Sequence, residues 1–213
     1  MGVAMAAQSV AASERAALCA LLDELGPDAP TLCAGWTTAD LAAHLFVRER
    51  RPLSAVGIIV SPLSSMTDHA MERAKQHHSY SGLVDQVRKG PPFFWLPLDK
   101  GVNTMEYFIH HEDVRRAGAE WAPREDERLD GVLWGSLRRG ARLLARGLKG
   151  AGLELVRPDG ERVVARTATP RAIVTGGPQE LALFLYGRGS ATRVTIDGPD
   201  AARSALEAAK FSV

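Results

Sequence analysis

The chain has few cysteines, no long hydrophobic run and almost no net charge, and each absence excludes a class of protein. Its two cysteines, Cys19 and Cys33, are too few for a disulfide framework. No stretch approaches the roughly 18 consecutive apolar residues of a membrane span. The 26 basic and 25 acidic residues leave a formal charge of +1, which gives no bulk attraction to nucleic acid or anionic membranes. Residues 1–10 lack a charged segment and a long apolar segment, so we expect no secretory signal and a reduced, cytoplasmic protein.

What the chain does have is the composition of a folded protein. Its 213 residues, 46% hydrophobic and 24% charged, suffice for one large domain or two small ones. Apolar residues at helical spacing dominate residues 1–150, whereas the remainder alternates short β-rich runs with short helices. The sequence therefore predicts a mostly α protein: a helical bundle over residues 1–150, followed by a small α+β domain over residues 151–213.

Several helix boundaries can be predicted from local signals. Gly26, followed by proline, ends the first helix. Thr37 as N-cap, with Asp40 three residues later, begins the second helix as a short-armed capping box. Further helices are predicted to run from an Asn103 cap to Ala117 and from Leu129 to Leu148.

The segment from Asn103 to Asp113 is the most informative for chemistry. Glu106 and His110 are four residues apart, so on a helix they share a face about 5–6 Å apart. One divalent ion can bridge such a pair. Asn103 and Asp113 extend the polar stripe beside an apolar stripe that can face the core, which is where helical bundles build metal sites.

A matching polar stripe runs along the second helix, at i, i+3, i+7 and i+11: Thr37, Asp40, His44 and Arg48. His44 is flanked by apolar residues and is expected to be buried. If the two helices pack together, His44, Glu106 and His110 form a His₂Glu set. Three protein ligands leave an open coordination position, as in catalytic metal sites. This donor set suits zinc and also accommodates nickel, iron or manganese.

Spacing alone leaves plainer interpretations open. A Glu–His pair at i, i+4 is also common on helix surfaces. His111 is an alternative ligand to His110, although it shares a face with Tyr107 instead of Glu106. A fourth ligand could come from other side chains, which otherwise belong to a solvated helix end or to an inert thiol: His69, His77, His78 and Cys33. No phosphate-binding G-x-x-x-x-G-K-[ST] loop and no G-x-S-x-G nucleophile motif is present.

Two motifs carry a resemblance to a known family. Residues 32–45, LCAGWTTADLAAHL, resemble the GWTxxDLAAHL segment of the actinobacterial mycothiol-dependent maleylpyruvate isomerase family, which has the DinB-like four-helix bundle fold. Residues 106–113 resemble its second motif, E-x-x-x-H-x-x-D. The resemblance covers the whole bundle and is closer to a metal-binding branch than to the isomerase itself. The C-terminal part is similar to the family's small α+β unit, with Gly187-Arg188 as its Gly-Arg step.

The resemblance implies a divalent metal, usually zinc, held by His44, Glu106 and His110. Water or the thiolate of mycothiol would take the open positions. It also implies that Asp113 orients a ligand histidine, a common role for such carboxylates. It does not decide the reaction, because the superfamily supports several chemistries.

Two functional hypotheses follow. In the first, the protein is a mycothiol-dependent isomerase or S-transferase, in which a metal-activated thiol attacks an electrophilic small molecule. Arg48 and Arg188 would bind a substrate carboxylate, and the aromatic residues 93–95 would wall the pocket or pack across the bundle end. In the second, the protein binds or senses a metal, a thiol or a small ligand without turnover.

A DNA-binding regulator is the weakest alternative. It has two supports: a basic cluster next to the proposed site, formed by Arg48, Arg50 and Arg51, and a set of arginines along one predicted helix. The set along the helix, which we interpret as a solvated face, consists of Arg138, Arg139, Arg142 and Arg146. We therefore expect a low-molecular-weight thiol and a small electrophile as partners, no nucleic acid or membrane, and a monomer or homodimer.

Overall fold

The computed structural model describes residues 8–50, 64–91, 102–118, 120–209 and 211. The chain divides into two compact units, Met1–Pro123 and Arg124–Val213. In the described part of the chain, no helix combines the length and apolar character needed to cross a membrane. The predicted aromatic segment, residues 93–95, lies outside the described residues.

The described part of the first unit consists of helices. They are α1 (Val10–Leu25), α2 (Thr38–Arg50), α3 (Ser64–His77), α4 (Tyr80–Lys89) and α5 (Val102–Arg115). Helix α1 packs against α4 and α5, while α2 packs against α3 and α4. Fully buried side chains from four helices fill the space between them: Leu18, Leu22, Leu41, Leu45, Leu83 and Tyr107.

The first helix ends and the second helix begins where the local sequence predicts. Gly26 ends α1 with a φ of 75°, a left-handed conformation that residues with a Cβ rarely adopt. At the start of α2, Asp40 Oδ2 accepts hydrogen bonds from the backbone N–H and the hydroxyl of Thr37, both at 2.9 Å. Lys75 on α3 donates to the other oxygen of Asp40 at 2.7 Å. The entry to α2 is thereby fixed by the predicted residues.

The start and end of α5 differ from the sequence prediction. The helix begins at Val102, so Asn103 lies inside its first turn and is buried, not capping the helix from outside. It ends at Arg115, before the predicted Ala117. Residues 116–118 form a turn and bends in place of a further stretch of helix.

The second unit combines a long helix with a small sheet. Helix α6 (Glu127–Leu144) is followed by a short 3₁₀ segment (Ala145–Gly147), the strands β1 (Gly152–Val156), β2 (Arg162–Arg166) and β3 (Arg171–Thr175), helix α7 (Pro178–Leu185), strand β4 (Thr195–Asp197) and helix α8 (Asp200–Ala208). The strand order is β2-β1-β3-β4. Strand β1 pairs antiparallel with β2 and parallel with β3, and β4 pairs antiparallel with β3.

Helix α6 belongs to the second unit and not to the helical bundle, in contrast to the predicted boundary at residue 150. Its apolar face, with Leu129, Leu133 and Leu137 buried, packs against α7 and β2. Periodicity shows that a helix has an apolar face but does not show which core receives it. The predicted class, a mostly helical DinB-like fold with a small α+β unit at its C-terminal end, is confirmed.

Candidate metal centre

Three side chains from α2 and α5 meet in the first unit. Nε2 of His44 lies 3.3 Å from Oε1 of Glu106, and Nε2 of His110 lies 3.3 Å from the same oxygen. Their candidate ligand atoms all lie within 4.8 Å of one another. Both histidines are buried, and the Glu106 side chain is 19% exposed. The structure therefore brings together the His₂Glu set that the sequence predicted.

Local packing explains why these side chains face one another. Glu106 and His110 are one turn apart on α5, which places them on one face. On α2, His44 lies between Ala43 and Leu45, both fully buried, so its ring is held in the interior. The indole ring of Trp36 lies 5.1 Å from the His44 ring. This apolar surround limits the rotamers that His44 can adopt.

Arg48 is the fourth member of the cluster. Its Nε lies 3.2 Å from Glu106 Oε1, the oxygen that both histidines also approach. Burial alone would raise the pKa of Glu106, but the charge of Arg48 and hydrogen bonds from His110 and His44 outweigh it and hold that pKa well below its usual range. Glu106 is therefore ionised at neutral pH, as a metal ligand must be.

The two histidines have opposite electrostatic surroundings. Burial lowers the pKa of His44 and favours its neutral form, although the hydrogen bond to Glu106 opposes this shift. Burial would also lower the pKa of His110, but Asp113, Cys33 and Glu106 raise it well above its usual value. Metal binding at His110 would therefore have to displace a proton.

Asp113 lies on the other side of the His110 ring. Its Oδ2 is 3.0 Å from His110 Nδ1 and accepts a hydrogen bond from the Cys33 thiol at 3.2 Å. The backbone of Asp113 accepts a hydrogen bond from the Leu32 N–H at 2.9 Å. The loop that precedes α2 is thus attached to α5 beside the site. Because Nδ1 faces Asp113, Nε2 is the nitrogen directed at Glu106 and His44.

Cys33, His110 and Asp113 form a second group of potential ligands within 4.8 Å. The two groups share His110 and use opposite nitrogens of its ring. The proximity of Cys33 to Asp113 did not follow from the sequence, because 80 positions separate the two residues.

A divalent ion fits the first group of ligands. Two imidazole nitrogens and a carboxylate oxygen converge there, and this is the donor chemistry of zinc sites that keep an open position. The other candidate histidines are elsewhere: His111 Nδ1 lies 3.2 Å from buried Glu14, and the remaining three are exposed, namely His69, His77 and His78. Among the described residues, none of these four belongs to either potential ligand group.

Arg188, the other predicted substrate-binding residue, lies in the second unit. It follows α7, and its Nη1 donates a hydrogen bond to the Tyr186 carbonyl oxygen at 2.5 Å. Its role in substrate binding therefore stays a prediction.

Sequence reasoning missed a buried carboxyl on α2, the helix that also carries His44. Glu49 is 3% exposed, and its Oε1 accepts a hydrogen bond from the Tyr107 hydroxyl at 2.6 Å. Within the described part of the chain, its Oε2 has no hydrogen-bond partner. Burial raises the pKa of Glu49 to about 7, although Tyr107 and nearby arginines oppose the shift. The available signal was spacing, because Glu49 follows Leu41 and Leu45 at i+8 and i+4 on one helix face.

Comparison with known proteins supports the fold. No protein-family model matches the chain, and no curated protein shows significant similarity to it. Among solved structures, one described as the mycothiol-dependent maleylpyruvate isomerase aligns with a TM-score of 0.54 and 18% identity, covering 88% of this chain and 89% of that chain. A histidine-to-alanine mutant of that isomerase aligns with the same TM-score and coverage at 17% identity. The chain thus has the fold of mycothiol-dependent maleylpyruvate isomerase, which confirms at the level of fold the resemblance carried by its two motifs.

Proposed function

We propose that the protein binds a divalent metal, zinc by preference, and acts as a mycothiol-dependent isomerase or S-transferase on a small electrophilic molecule. One observation carries this proposal: the His44, Glu106 and His110 ligand atoms converge within 4.8 Å. The likeness to a mycothiol-dependent isomerase in fold supports the choice of thiol chemistry.

In this proposal His44, Glu106 and His110 hold the metal. A bound divalent ion would lower the pKa of a coordinated thiol and so supply a thiolate near neutral pH. Asp113 accepts a hydrogen bond from His110 Nδ1, which fixes the ring with Nε2 directed at the site. The three ligands would bind the metal and Asp113 would orient His110, which leaves the remaining coordination positions of the metal to water or a thiol.

Arg48 and Arg188 are proposed to bind a substrate carboxylate. The Arg48 guanidinium lies at the site, beside Glu106, and its side chain is 17% exposed. An arginine so placed offers paired N–H donors to a carboxylate. Arg188 is proposed as a second anchor on the basis of the Gly-Arg step. Its replacement by alanine is expected to raise KM for an anionic substrate and to leave metal content unchanged.

The reaction proposed is addition of the thiol to an electrophilic carbon. In an isomerase, rotation about the former double bond and loss of the thiol would follow. In a transferase, the conjugate would be released. We place the reaction in the cytoplasm, where low-molecular-weight thiols remain reduced.

Calorimetry with mycothiol tests this function. We expect the zinc-loaded protein to bind mycothiol and the metal-free protein to bind it at least about tenfold more weakly. The Glu106→Ala variant, treated with the same zinc, serves as a control and should behave like the metal-free protein. Equal binding to all three samples would refute the proposed function.

A non-catalytic metal-binding or sensing module is the second candidate. Cys33 favours it, because its thiol lies beside His110 and Asp113, on the side of the imidazole ring away from His44 and Glu106, and these three side chains could hold an ion separately from the His₂Glu set. X-ray absorption on the zinc-loaded protein, without added thiol, distinguishes the two functions. Only nitrogen and oxygen ligands support the enzyme, whereas a sulfur ligand that disappears in Cys33→Ser supports metal binding by Cys33, His110 and Asp113 without turnover.

A further inference from the structure

We propose that the second unit carries a binding groove for a small phosphorylated molecule, separate in chemistry from the metal centre. The groove has a volume of about 440 Å³, within the range of small-ligand pockets. Two elements line it: α6 contributes Arg138, Arg139 and Arg142, and β2 contributes Arg162, Val163 and Val164.

The helical spacing explains why three of these arginines converge. Arg138 and Arg142 are four residues apart, and Arg139 and Arg142 are three apart, so all three share one region of the α6 surface. Strand β2 packs against α6 and adds Arg162 to the same concavity. Arg146, on the same stretch of sequence, does not line the groove. The arginines along this helix were predicted to form one solvated face. In the folded chain, three of them line the groove and Arg146 does not.

Nearby carboxylates neutralise only part of this charge. Glu161 lies 3.5 Å from Arg138 but also 3.3 Å from Arg157, so it serves two arginines. The carboxylate beside Arg162, that of Glu154, is likewise shared between two arginines. Glu154 lies 3.3 Å from Arg162 and 3.5 Å from Arg171.

Among the described residues, no acidic side chain forms an ion pair with the other two lining arginines. Arg139 donates a 3.5 Å hydrogen bond to the Ser136 hydroxyl. Arg142 has no ion pair with any described residue. A concave surface lined by like charges concentrates the field and attracts anions.

Phosphate is the anion that this donor set fits best. Guanidinium groups present planar pairs of N–H donors, which match phosphate oxygens bidentately. The lining also includes Val163 and Val164 on β2, and their apolar atoms offer a surface against which a sugar or base can pack. Four arginines around a short groove suit a molecule with at least two phosphate charges. The groove is too short for an extended nucleic-acid track, and the chain's net charge of +1 gives no wider attraction to a polyanion.

Titration of the full-length protein with inorganic pyrophosphate, followed by calorimetry at about 0.15 M salt, tests this site. We expect one saturable site per chain. Arg142→Ala and Arg162→Ala should each weaken binding by roughly tenfold, and Arg142→Lys should restore only part of the loss. Arg146→Ala is the matched control and should change the affinity by less than about twofold.

These lining arginines are exposed, so the variants are expected to fold normally, and thermal melting of each variant checks this. Absence of saturable binding, or an equal loss in Arg146→Ala, would overturn the proposal. A parallel titration with a short duplex DNA is the second arm. Tighter binding of the duplex than of pyrophosphate, with a steep salt dependence, would replace the small-molecule site by a nucleic-acid surface and would also overturn it. None of these outcomes depends on the metal centre.

Discussion

Replacing Glu49 with glutamine should shift the stability difference between variant and original protein in favour of the variant as pH rises. The carboxyl of Glu49 is buried, and burial raises its pKa from 4.5 to about 7. The folded state therefore binds more protons than the unfolded state between these two values, and stability falls as pH rises through that window. Glutamine keeps an oxygen that can accept the Tyr107 hydrogen bond but cannot ionise.

The size of the effect follows from the shift. A difference of about 2.5 pKa units, from 4.5 to about 7, corresponds to about 3–4 kcal/mol at about 1.4 kcal/mol per unit. The stability of Glu49→Gln minus that of the original protein should therefore increase by up to about 3–4 kcal/mol between acidic and alkaline pH. Any pH-independent cost of the substitution cancels in this comparison.

Urea unfolding monitored by circular dichroism, at several pH values and with a chelator present, measures this difference. Glu24→Gln is the matched control for the loss of one glutamate side chain, because Glu24 is exposed on α1. A flat difference for Glu49→Gln, or one that falls with rising pH, would refute the assigned protonation of Glu49.

Further predictions concern the metal centre and the second unit. Zinc binding near neutral pH should release close to one proton from His110, because its pKa is raised well above the usual value; calorimetry in two buffers of different ionisation enthalpy measures this, and zero release contradicts it. Asp113→Asn should weaken zinc binding by about 10–100-fold in competition with a chromophoric chelator, and an unchanged affinity would remove its orienting role. Arg48→Met should strengthen zinc binding in the same assay, because it removes a cation 3.2 Å from Glu106; weaker binding would show that Arg48 supports the site. Leu137→Ala should destabilise the second unit by about 2–5 kcal/mol in urea unfolding, and a loss below about 1 kcal/mol would contradict the packing of α6.

Much of the candidate site was accessible from the sequence. The spacing of Glu106 and His110 predicts a shared helix face, and the apolar neighbours of His44 predict burial. Hydrophobic periodicity could not establish that α2 and α5 face each other, because it does not show which helices pack together. The family resemblance supplied that relation, and the structure shows the three side chains together.

What the sequence did not reveal depends on contacts between distant parts of the chain. The hydrogen bond from Cys33 to Asp113 requires the loop before α2 to reach α5. Whether α6 belongs to the first or the second unit depends on which hydrophobic core covers Leu133 and Leu137. The sequence does not distinguish the two cores, because both are hydrophobic. Arg48 was predicted only as a substrate ligand, whereas its position beside Glu106 also makes it a counter-ion of a potential metal ligand.

Metal content tests the central claim most directly. The full-length protein, purified without a histidine tag, would be analysed by inductively coupled plasma mass spectrometry beside His44→Ala, Glu106→Ala and His110→Ala. The exposed His77 provides the matched control His77→Ala. We predict about one divalent ion per chain in the original protein and the control, and loss of the ion in the other three variants while circular dichroism shows that the fold persists. No metal in the original protein, or metal retained in all three variants, would contradict the metal centre and the thiol chemistry proposed for it.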